Sequence, residues 1–102
     1  MSVVVVATIV PVAEHRDEVI AAIKETIGQV HGEDGCELYT LNEAPDRLIM
    51  IEKWANAQAL AAHSNGRNLA ALNPKLVGKV ARPPEIFVLQ QVPAGDPVKG
   101  QL

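Results

Sequence analysis

Apolar side chains along the chain follow two spacings, which distinguish strands from helices. Residues 3–10 are apolar or β-branched almost without interruption, and this favours a strand that is buried on both faces and ended by Pro11. Residues 14–30 carry apolar side chains at three- and four-residue steps, which predicts one buried helical face: Val19, Ile20, Ile23, Ile27 and Val30. The chain therefore begins with a strand and an amphipathic helix.

Turn-forming residues mark a hairpin in the middle of the chain. The segment Gly32-Glu33-Asp34-Gly35 has the composition of a turn, and a strand over residues 36–43 follows it. The short connection over residues 44–46 leads to another strand over residues 47–54. Two strands joined by so short a connection are predicted to pair as an antiparallel hairpin.

The second half of the chain predicts a broken helix and a last strand. Asn56 is a suitable N-cap for a helix that the pair Asn65-Gly66 interrupts. In the helical stretch that follows, Pro74 predicts a kink or a restart. The apolar side chains of that stretch recur at helical steps: Leu69, Leu72, Leu76 and Val80. Residues 85–92 then predict a fourth strand.

The order β-α-β-β-α-β predicts a ferredoxin-like α+β fold over residues 1–92, with one four-stranded antiparallel sheet and helices on one face. Residues 93–102 hold two prolines and two glycines and predict a C-terminal arm. A sheet with one face in water alternates polar and apolar residues, but both faces here are apolar, as the run Leu48-Ile49-Met50-Ile51 illustrates. We therefore expect a homodimer in which the free faces of two sheets pack together.

The composition narrows the classes of function. The 102 residues are 48% apolar and 21% charged, which is typical of a globular domain. The net charge of -3, without a basic stripe, argues against a nucleic-acid partner. No apolar run approaches the ~20 residues that span a bilayer, so we expect no membrane segment. The single cysteine, Cys36, excludes an intramolecular disulfide and a cysteine-based zinc site, and it favours a soluble, cytoplasmic protein.

Three short segments carry a resemblance to a known family: Glu33-Asp34-Gly35-Cys36-x-x-Tyr39, Glu52-Lys53-Trp54 and Ala59-Leu60-x-x-His63. In this order and at these spacings, the chain resembles the antibiotic biosynthesis monooxygenase (ABM) domains of the dimeric α+β barrel superfamily, from about Val3 to Val92. Many relatives carry a second histidine five residues after the first, where this chain has Asn68. A chemistry that needs a histidine pair is therefore not expected.

The resemblance implies oxidation of a small aromatic or quinoid compound, such as a phenol, quinol or anthrone, by O₂ as co-substrate and without flavin, haem or metal. The haem-degrading relatives use an asparagine on their first strand, and residues 3–10 contain none. The chain also has no glycine-rich dinucleotide or phosphate motif, and its three histidines have no metal-ligand spacing. We therefore expect a cofactor-independent monooxygenase with no metal site.

Chemistry without a cofactor needs an apolar cavity, a base, and a hydrogen-bond donor for the oxygen on which charge develops. His63 is the candidate base, since the two alanines before it leave room beside the imidazole. The candidate substrate-binding residues are Trp54 and Tyr39, which would shape the pocket, and Arg67 and Asn68, which would contact substrate oxygens. Each of these residues also has an interpretation without a function. His63 would interact with the C-terminus of its helix, and Trp54 would only pack in the core. Tyr39 would be a half-buried strand residue, and Arg67 and Asn68 would lie on the surface.

The sequence leaves the roles of two further residues undecided, and it allows two other functions. Glu52 lies on the same strand face as Trp54, and a buried carboxylate there requires a partner, which favours a structural ion pair. Cys36 is more typical of a small core residue than of a nucleophile. A non-oxidative isomerase or cyclase would use the same enolate chemistry without O₂. A non-catalytic dimer would bind a small ligand without turnover.

Overall fold

The computed structural model describes residues 2–102 and has the predicted order of elements, with the second helical region divided into two helices. In chain order the elements are the strand β1 (Val3–Ile9), the helix α1 (Arg16–His31), the strands β2 (Cys36–Ala44) and β3 (Arg47–Trp54), the helices α2 (Ala57–Ser64) and α3 (Arg67–Leu76), and the strand β4 (Glu85–Leu89). A 3-10 turn over Ala13–His15 leads into α1. Within residues 2–102 no helix is both long and apolar enough to cross a bilayer.

The four strands form one antiparallel sheet in the order β2-β3-β1-β4. The hairpin of β2 and β3 takes one side of the sheet, and β4 is the opposite edge strand. The helix α1 packs against β2 and α3, and α2 packs against β3. This arrangement confirms the ferredoxin-like α+β fold.

The helix signals in the sequence act where they were expected. The apolar face of α1 buries Val19, Ile23 and Val30 in the core. Asn56 caps α2, because its Oδ1 accepts a hydrogen bond from the backbone N–H of Ala59 at 2.8 Å. These two features fix the helix layer above the sheet.

Alternation along β3 separates the core from the outer face of the sheet. Four side chains of this strand face the helices and are buried: Leu48, Met50, Glu52 and Trp54. The side chains between them face the other way, which leaves Ile49, Ile51 and Lys53 half-buried on the outer face. Glu52 and Trp54 therefore share the core side, as the strand pattern predicts.

The C-terminal arm lies against the outer face of the sheet. Lys53 donates a hydrogen bond from Nζ to the carbonyl oxygen of Leu102 at 3.0 Å, and Gln91 Oε1 accepts one from the Leu102 N–H at 2.7 Å. Val4, which pairs with Lys53 across the sheet, is buried beside this arm. Residues 90–102 contain neither helix nor strand, and the domain boundary at residue 92 stays a prediction.

The last strand differs from the sequence prediction in length and in burial. β4 ends at Leu89 rather than at Val92, because its partner β1 begins opposite that point. Ile86 and Val88 are on the helix side of the sheet, yet they are 64% and 61% exposed, since the helices do not cover this edge. Phe87, on the outer side, is 50% exposed. Both sides of β4 are therefore apolar and uncovered.

Pro74 lies inside one continuous helix, so the expected restart is wrong, while the expected kink stays a prediction. The helix α3 continues through Pro74 and ends two residues later, at Leu76. A proline removes one backbone N–H from the helix, and so close to the C-terminus this costs a single hydrogen bond with Ala70. Val80, which the periodicity placed on the same helix, instead pairs with Pro11 in an isolated bridge.

Gly35 occupies a position that only glycine fits. Its φ is +79°, and a Cβ built on it would lie 2.5 Å from the Cβ of Ala59 on α2. Its carbonyl oxygen accepts a hydrogen bond from the N–H of Ala55 at 2.8 Å, which fixes the backbone there. We expect Gly35→Ala to lower the free energy of unfolding by about 2 kcal/mol, measured by urea denaturation.

The matched control for this substitution is Gly28→Ala. Gly28 lies in α1, and nothing comes within 4 Å of a Cβ added there. Alanine should therefore raise the stability, by up to about 1 kcal/mol, because glycine is a poor helix former. Equal losses in the two variants would contradict the close packing of Gly35 on α2.

Candidate functional site

His63 lies near the end of α2 and is almost completely enclosed. Its side chain is 4% exposed, and it is one of three buried polar residues among residues 2–102, with Thr26 and Glu52. A neutral imidazole has one nitrogen that donates and one that accepts a hydrogen bond. Its surroundings therefore determine which nitrogen is free for chemistry.

Two aromatic rings hold the imidazole from the sheet side. Trp54, fully buried at the end of β3, stacks on His63 with ring centroids 4.4 Å apart. Tyr39 on β2 meets the same ring edge-on, with centroids 5.4 Å apart. The Tyr39 ring is buried rather than half-exposed. The hairpin therefore brings two of the predicted residues onto the predicted base.

A carboxylate and an amide hold the imidazole from the other side. The Nδ1 atom of His63 lies 3.0 Å from Oε1 of Glu33, which belongs to the turn before β2. The second carboxylate oxygen of Glu33, Oε2, accepts a hydrogen bond from Nδ2 of Asn68 at 2.8 Å. Asn68 therefore contacts His63 only indirectly, through Glu33.

A surface groove of about 830 Å³ begins beside this carboxylate. Glu33, Arg67 and Asn68 line it, together with small residues of α2 such as Ala62. Arg67 is exposed and forms no ion pair within residues 2–102. The predicted substrate-binding residues are thus divided between this groove and the sheet side of His63.

Two polar atoms of the cluster have no hydrogen-bond partner among residues 2–102. The Nε2 atom of His63 and the hydroxyl of Tyr39 form no hydrogen bond within residues 2–102. Neither atom is fully enclosed, because every fully buried polar side-chain atom of the described residues has a hydrogen-bond partner. Each atom therefore keeps a little exposed surface and an unused capacity for a hydrogen bond.

The hydroxyl of Tyr39 and the thiol of Cys36 both stay protonated at neutral pH. Burial raises the pKa of Tyr39, and the negative charges of Glu52 and Glu33 raise it further. Burial also raises the pKa of Cys36, with added contributions from the same two carboxylates. Tyr39 is accordingly a hydrogen-bond donor, and Cys36 is a poor nucleophile, as the sequence suggested.

Glu52 completes the buried cluster. Its Oε1 accepts a hydrogen bond from the indole Nε1–H of Trp54 at 3.0 Å and lies 4.0 Å from Nε2 of His63. Burial raises the pKa of this carboxyl, although the bond from Trp54 and the charge of His63 oppose the shift. Where the sequence favoured a structural ion pair, Glu52 has the indole of Trp54 as its hydrogen-bond donor and the imidazole of His63 as its nearest basic group.

The raised pKa of Glu52 predicts a stability that falls as the pH rises. In the folded state the carboxyl keeps its proton above its ordinary pKa of 4.5, so the native state binds more protons than the unfolded state there. We expect Glu52→Gln, whose amide oxygen still accepts the Trp54 bond, to raise the free energy of unfolding at pH 7 by on the order of 1 kcal/mol. The gain should vanish near pH 4.

Denaturation of the two proteins at both pH values measures this difference. Glu14→Gln is the control, because Glu14 is exposed on the 3-10 turn before α1. This exposed substitution should change the stability by less than about 0.5 kcal/mol at either pH. A loss of stability in Glu52→Gln at pH 7 would mean that the charged carboxylate stabilises the fold.

Glu33 and Glu52 are the residues of this cluster that the sequence did not assign to the site, and Glu33 was not considered for it at all. The turn composition accounts for Glu33 as a loop residue, and its contact with His63 spans 30 positions of the chain. The available signal is its place in the first of the three segments that carry the family resemblance. Among residues 2–102, no three His, Cys, Asp or Glu side chains are grouped as metal ligands.

Comparison with protein families gives one match. A family model described as antibiotic biosynthesis monooxygenase matches residues 2–74. No curated protein matches the chain. The matched range contains β1 to α3 up to Pro74, and it includes every residue of the cluster described above.

Solved structures share the fold at low sequence identity. Rv0793 from Mycobacterium tuberculosis superimposes with a TM-score of 0.86 at 23% identity, covering 94% of this chain and 100% of that chain. A conserved protein from Methanosarcina mazei Go1 has a TM-score of 0.83 at 24% identity, covering 88% and 92%. A structure named antibiotic biosynthesis monooxygenase has a TM-score of 0.82 at 22% identity, covering 89% and 99%. These similarities support the fold alone.

Proposed function

This chain belongs to the antibiotic biosynthesis monooxygenase family, and we propose that it oxidises a small phenolic, quinol or anthrone-like compound with O₂ as co-substrate and without a bound cofactor. The observation that carries the proposal is that Nε2 of His63 and the hydroxyl of Tyr39 form no hydrogen bond within residues 2–102, on side chains whose ring centroids are 5.4 Å apart. A base and a donor for a developing oxyanion are what such an oxidation requires of the protein.

The reaction begins with a proton transfer. Nε2 of His63 takes a proton from the substrate, and the hydroxyl of Tyr39 donates a hydrogen bond to the substrate oxygen that gains charge. The resulting anion gives one electron to O₂, and the substrate radical and superoxide combine as a peroxide. Loss of water from an anthrone peroxide leaves a quinone, so one oxygen atom enters the product and the other leaves in water.

The remaining predicted residues have supporting roles in this proposal. Trp54 keeps the plane of the imidazole by stacking on it. Arg67, exposed in the groove, attracts an anionic substrate. The amide of Asn68 donates a hydrogen bond to the carboxylate of Glu33. In this proposal Asn68 therefore contacts Glu33 instead of the substrate oxygen that the sequence predicted.

Oxygen uptake by metal-stripped, flavin-free protein tests the proposal. A panel of quinols and anthrones is supplied with catalase and superoxide dismutase, which remove the products of autoxidation. We expect saturable uptake of one O₂ per substrate molecule. Consumption of substrate without O₂ uptake would instead indicate a non-oxidative isomerase or cyclase.

A second candidate function is ligand binding without turnover. The 4% exposure of the His63 side chain favours it, because a base must reach its substrate. Titration calorimetry with the same panel distinguishes the two functions. Saturable binding with neither O₂ uptake nor conversion would support this candidate against the oxygenase.

The proposal also includes a homodimer formed by the outer faces of two sheets. Ile49 and Ile51 lie half-buried on that face, and Phe87 and Leu89 of the edge strand are exposed beside them. A second copy with the same apolar surface would cover these side chains across a two-fold axis. We place the dimer in the cytoplasm, since its single cysteine is unpaired.

A charged side chain on this face should disrupt the dimer. We expect light scattering at low micromolar concentration to give a dimer for the native protein and a monomer for Phe87→Glu, because a carboxylate would be buried in an apolar interface. Val77→Glu is the matched control: Val77 is 76% exposed but follows α3, away from the sheet face. A native monomer, or a dimer for Phe87→Glu, would contradict this interface.

A further inference from the structure

Glu33 is held so firmly that its carboxylate acts as a fixed acceptor. Its N–H donates to the carbonyl oxygen of Val30 at 2.9 Å, and its own carbonyl oxygen accepts the N–H of Cys36 at 3.1 Å. Both carboxylate oxygens are also engaged, Oε1 with His63 and Oε2 with Asn68. The side chain is 19% exposed, so little water competes for these bonds.

A fixed carboxylate determines where the imidazole carries its proton. An ionised carboxylate only accepts hydrogen bonds, so the Nδ1 atom that faces it must be the protonated nitrogen of the neutral ring. The stacking of Trp54 on the ring opposes a flip that would put the carbon Cδ2 in the place of Nδ1 and so break the contact with Glu33. Nε2 is then left unprotonated, 4.0 Å from Oε1 of Glu52 and beyond hydrogen-bond distance.

We propose that Glu33 is the positioning residue of the site: it holds His63 as the Nδ1–H tautomer, with Asn68 fixing Glu33, and so leaves Nε2 as the only basic nitrogen. The inference deepens the proposed function, on which it rests for the role of the base. Asn68 thus supports the contact between Glu33 and His63, whereas the histidine that many relatives have at this position would form a pair of histidines.

The two nitrogens of His63 lie in different surroundings. The groove lined by Glu33, Arg67 and Asn68 faces the nitrogen that is already bound. The ring of Tyr39 on β2 meets the imidazole edge-on, and the carboxyl of Glu52 on β3 lies 4.0 Å from Nε2. Proton abstraction therefore takes place on the sheet side, and Glu33 acts on it only through the imidazole.

Nitrogen NMR of the imidazole rings tests the tautomer without a substrate. The protein is labelled with ¹⁵N and studied at a pH where its histidines are neutral, and the signals of His63 are identified by their loss in His63→Gln. We expect the native protein to hold His63 as the Nδ1–H tautomer. An Nε2–H tautomer in the native protein would overturn the proposal by itself.

Substitutions of Glu33 show whether this residue sets the tautomer. Glu33→Met keeps the length of the side chain but removes the acceptor, so nothing holds the proton on Nδ1 and it should move to Nε2, whose nearest carboxylate is then that of Glu52. Glu33→Gln keeps an acceptor oxygen and should retain Nδ1–H. Persistence of Nδ1–H as the main tautomer in folded Glu33→Met would overturn the role of Glu33.

Asp34→Asn is the control for loss of charge. Asp34 is exposed in the same turn and lines the same groove, so its replacement removes an equal charge without touching His63. We expect no change of tautomer in this variant. Because these experiments need no turnover, a negative result for Glu33 is distinct from a failure to find O₂ uptake.

Discussion

We expect Trp54→Ala to lower the free energy of unfolding by about 3–5 kcal/mol, because it empties the largest fully buried side-chain volume of the core. Trp54 also stacks on His63 and donates the indole N–H to Glu52. Its removal leaves a cavity and a buried carboxylate without its hydrogen-bond donor. Urea denaturation at a fixed protein concentration measures the loss, since the stability of the proposed dimer would depend on concentration.

Two further variants separate the packing of Trp54 from its hydrogen bond. Trp54→Phe keeps an aromatic ring against His63 but removes the donor to Glu52, and we expect a smaller loss of about 1–3 kcal/mol. Val77→Ala truncates a side chain that is 76% exposed and should change the stability by less than about 0.5 kcal/mol. A loss below about 1 kcal/mol in Trp54→Ala would contradict its place in the core.

The features that the sequence predicted correctly are those that depend on neighbouring residues. The alternation of β3 determines that Glu52 and Trp54 share the core side. The cap at Asn56 is formed with Ala59, three positions away. Such local rules also locate the break at Asn65-Gly66, since both α2 and α3 are bounded by it.

The features that the sequence missed depend on distant residues or on the absence of a partner. The bond between Glu33 and His63 forms only when the turn before β2 packs on α2, which periodicity does not describe. The pattern of β4 predicts burial, yet Ile86 is 64% exposed, because covering this edge requires a helix or a second chain. The local sequence pattern thus predicts which face of the sheet a side chain lies on, but it does not predict which element or chain covers that face.

This difference matters most for the interpretation of Asn68. From the sequence, Asn68 stands where many relatives have a histidine and is predicted to contact the substrate. In the fold the side-chain amide of Asn68 donates a hydrogen bond to the carboxylate of Glu33, and this carboxylate also contacts Nδ1 of His63. With Asn68 in place of the second histidine, one imidazole is left, and the carboxylate of Glu33 contacts its Nδ1. One imidazole held by one carboxylate is sufficient for a single proton transfer.

We expect His63→Gln to lower kcat by about 10²–10⁴, once the oxygen-uptake panel has identified a substrate, and to change KM little. Glutamine is close to histidine in size and can still donate a hydrogen bond to Glu33, but it has no basic nitrogen to take a proton. Oxygen uptake under saturating substrate measures kcat directly. If the proposed base acts, the rate of the native protein should rise with pH, because a general base takes a proton only when it is unprotonated.

The same substitution at His31 separates the base from a general effect of removing a histidine. His31 is exposed at the end of α1, and its Nε2 lies 2.9 Å from the carbonyl oxygen of Tyr39. It therefore touches the backbone of the proposed donor without reaching its hydroxyl, and His31→Gln should leave kcat within about twofold of native. If His63→Gln kept native turnover, or both variants lost it equally, the proton would be taken by another group. The free Nε2 beside Tyr39 would then be a feature of packing alone.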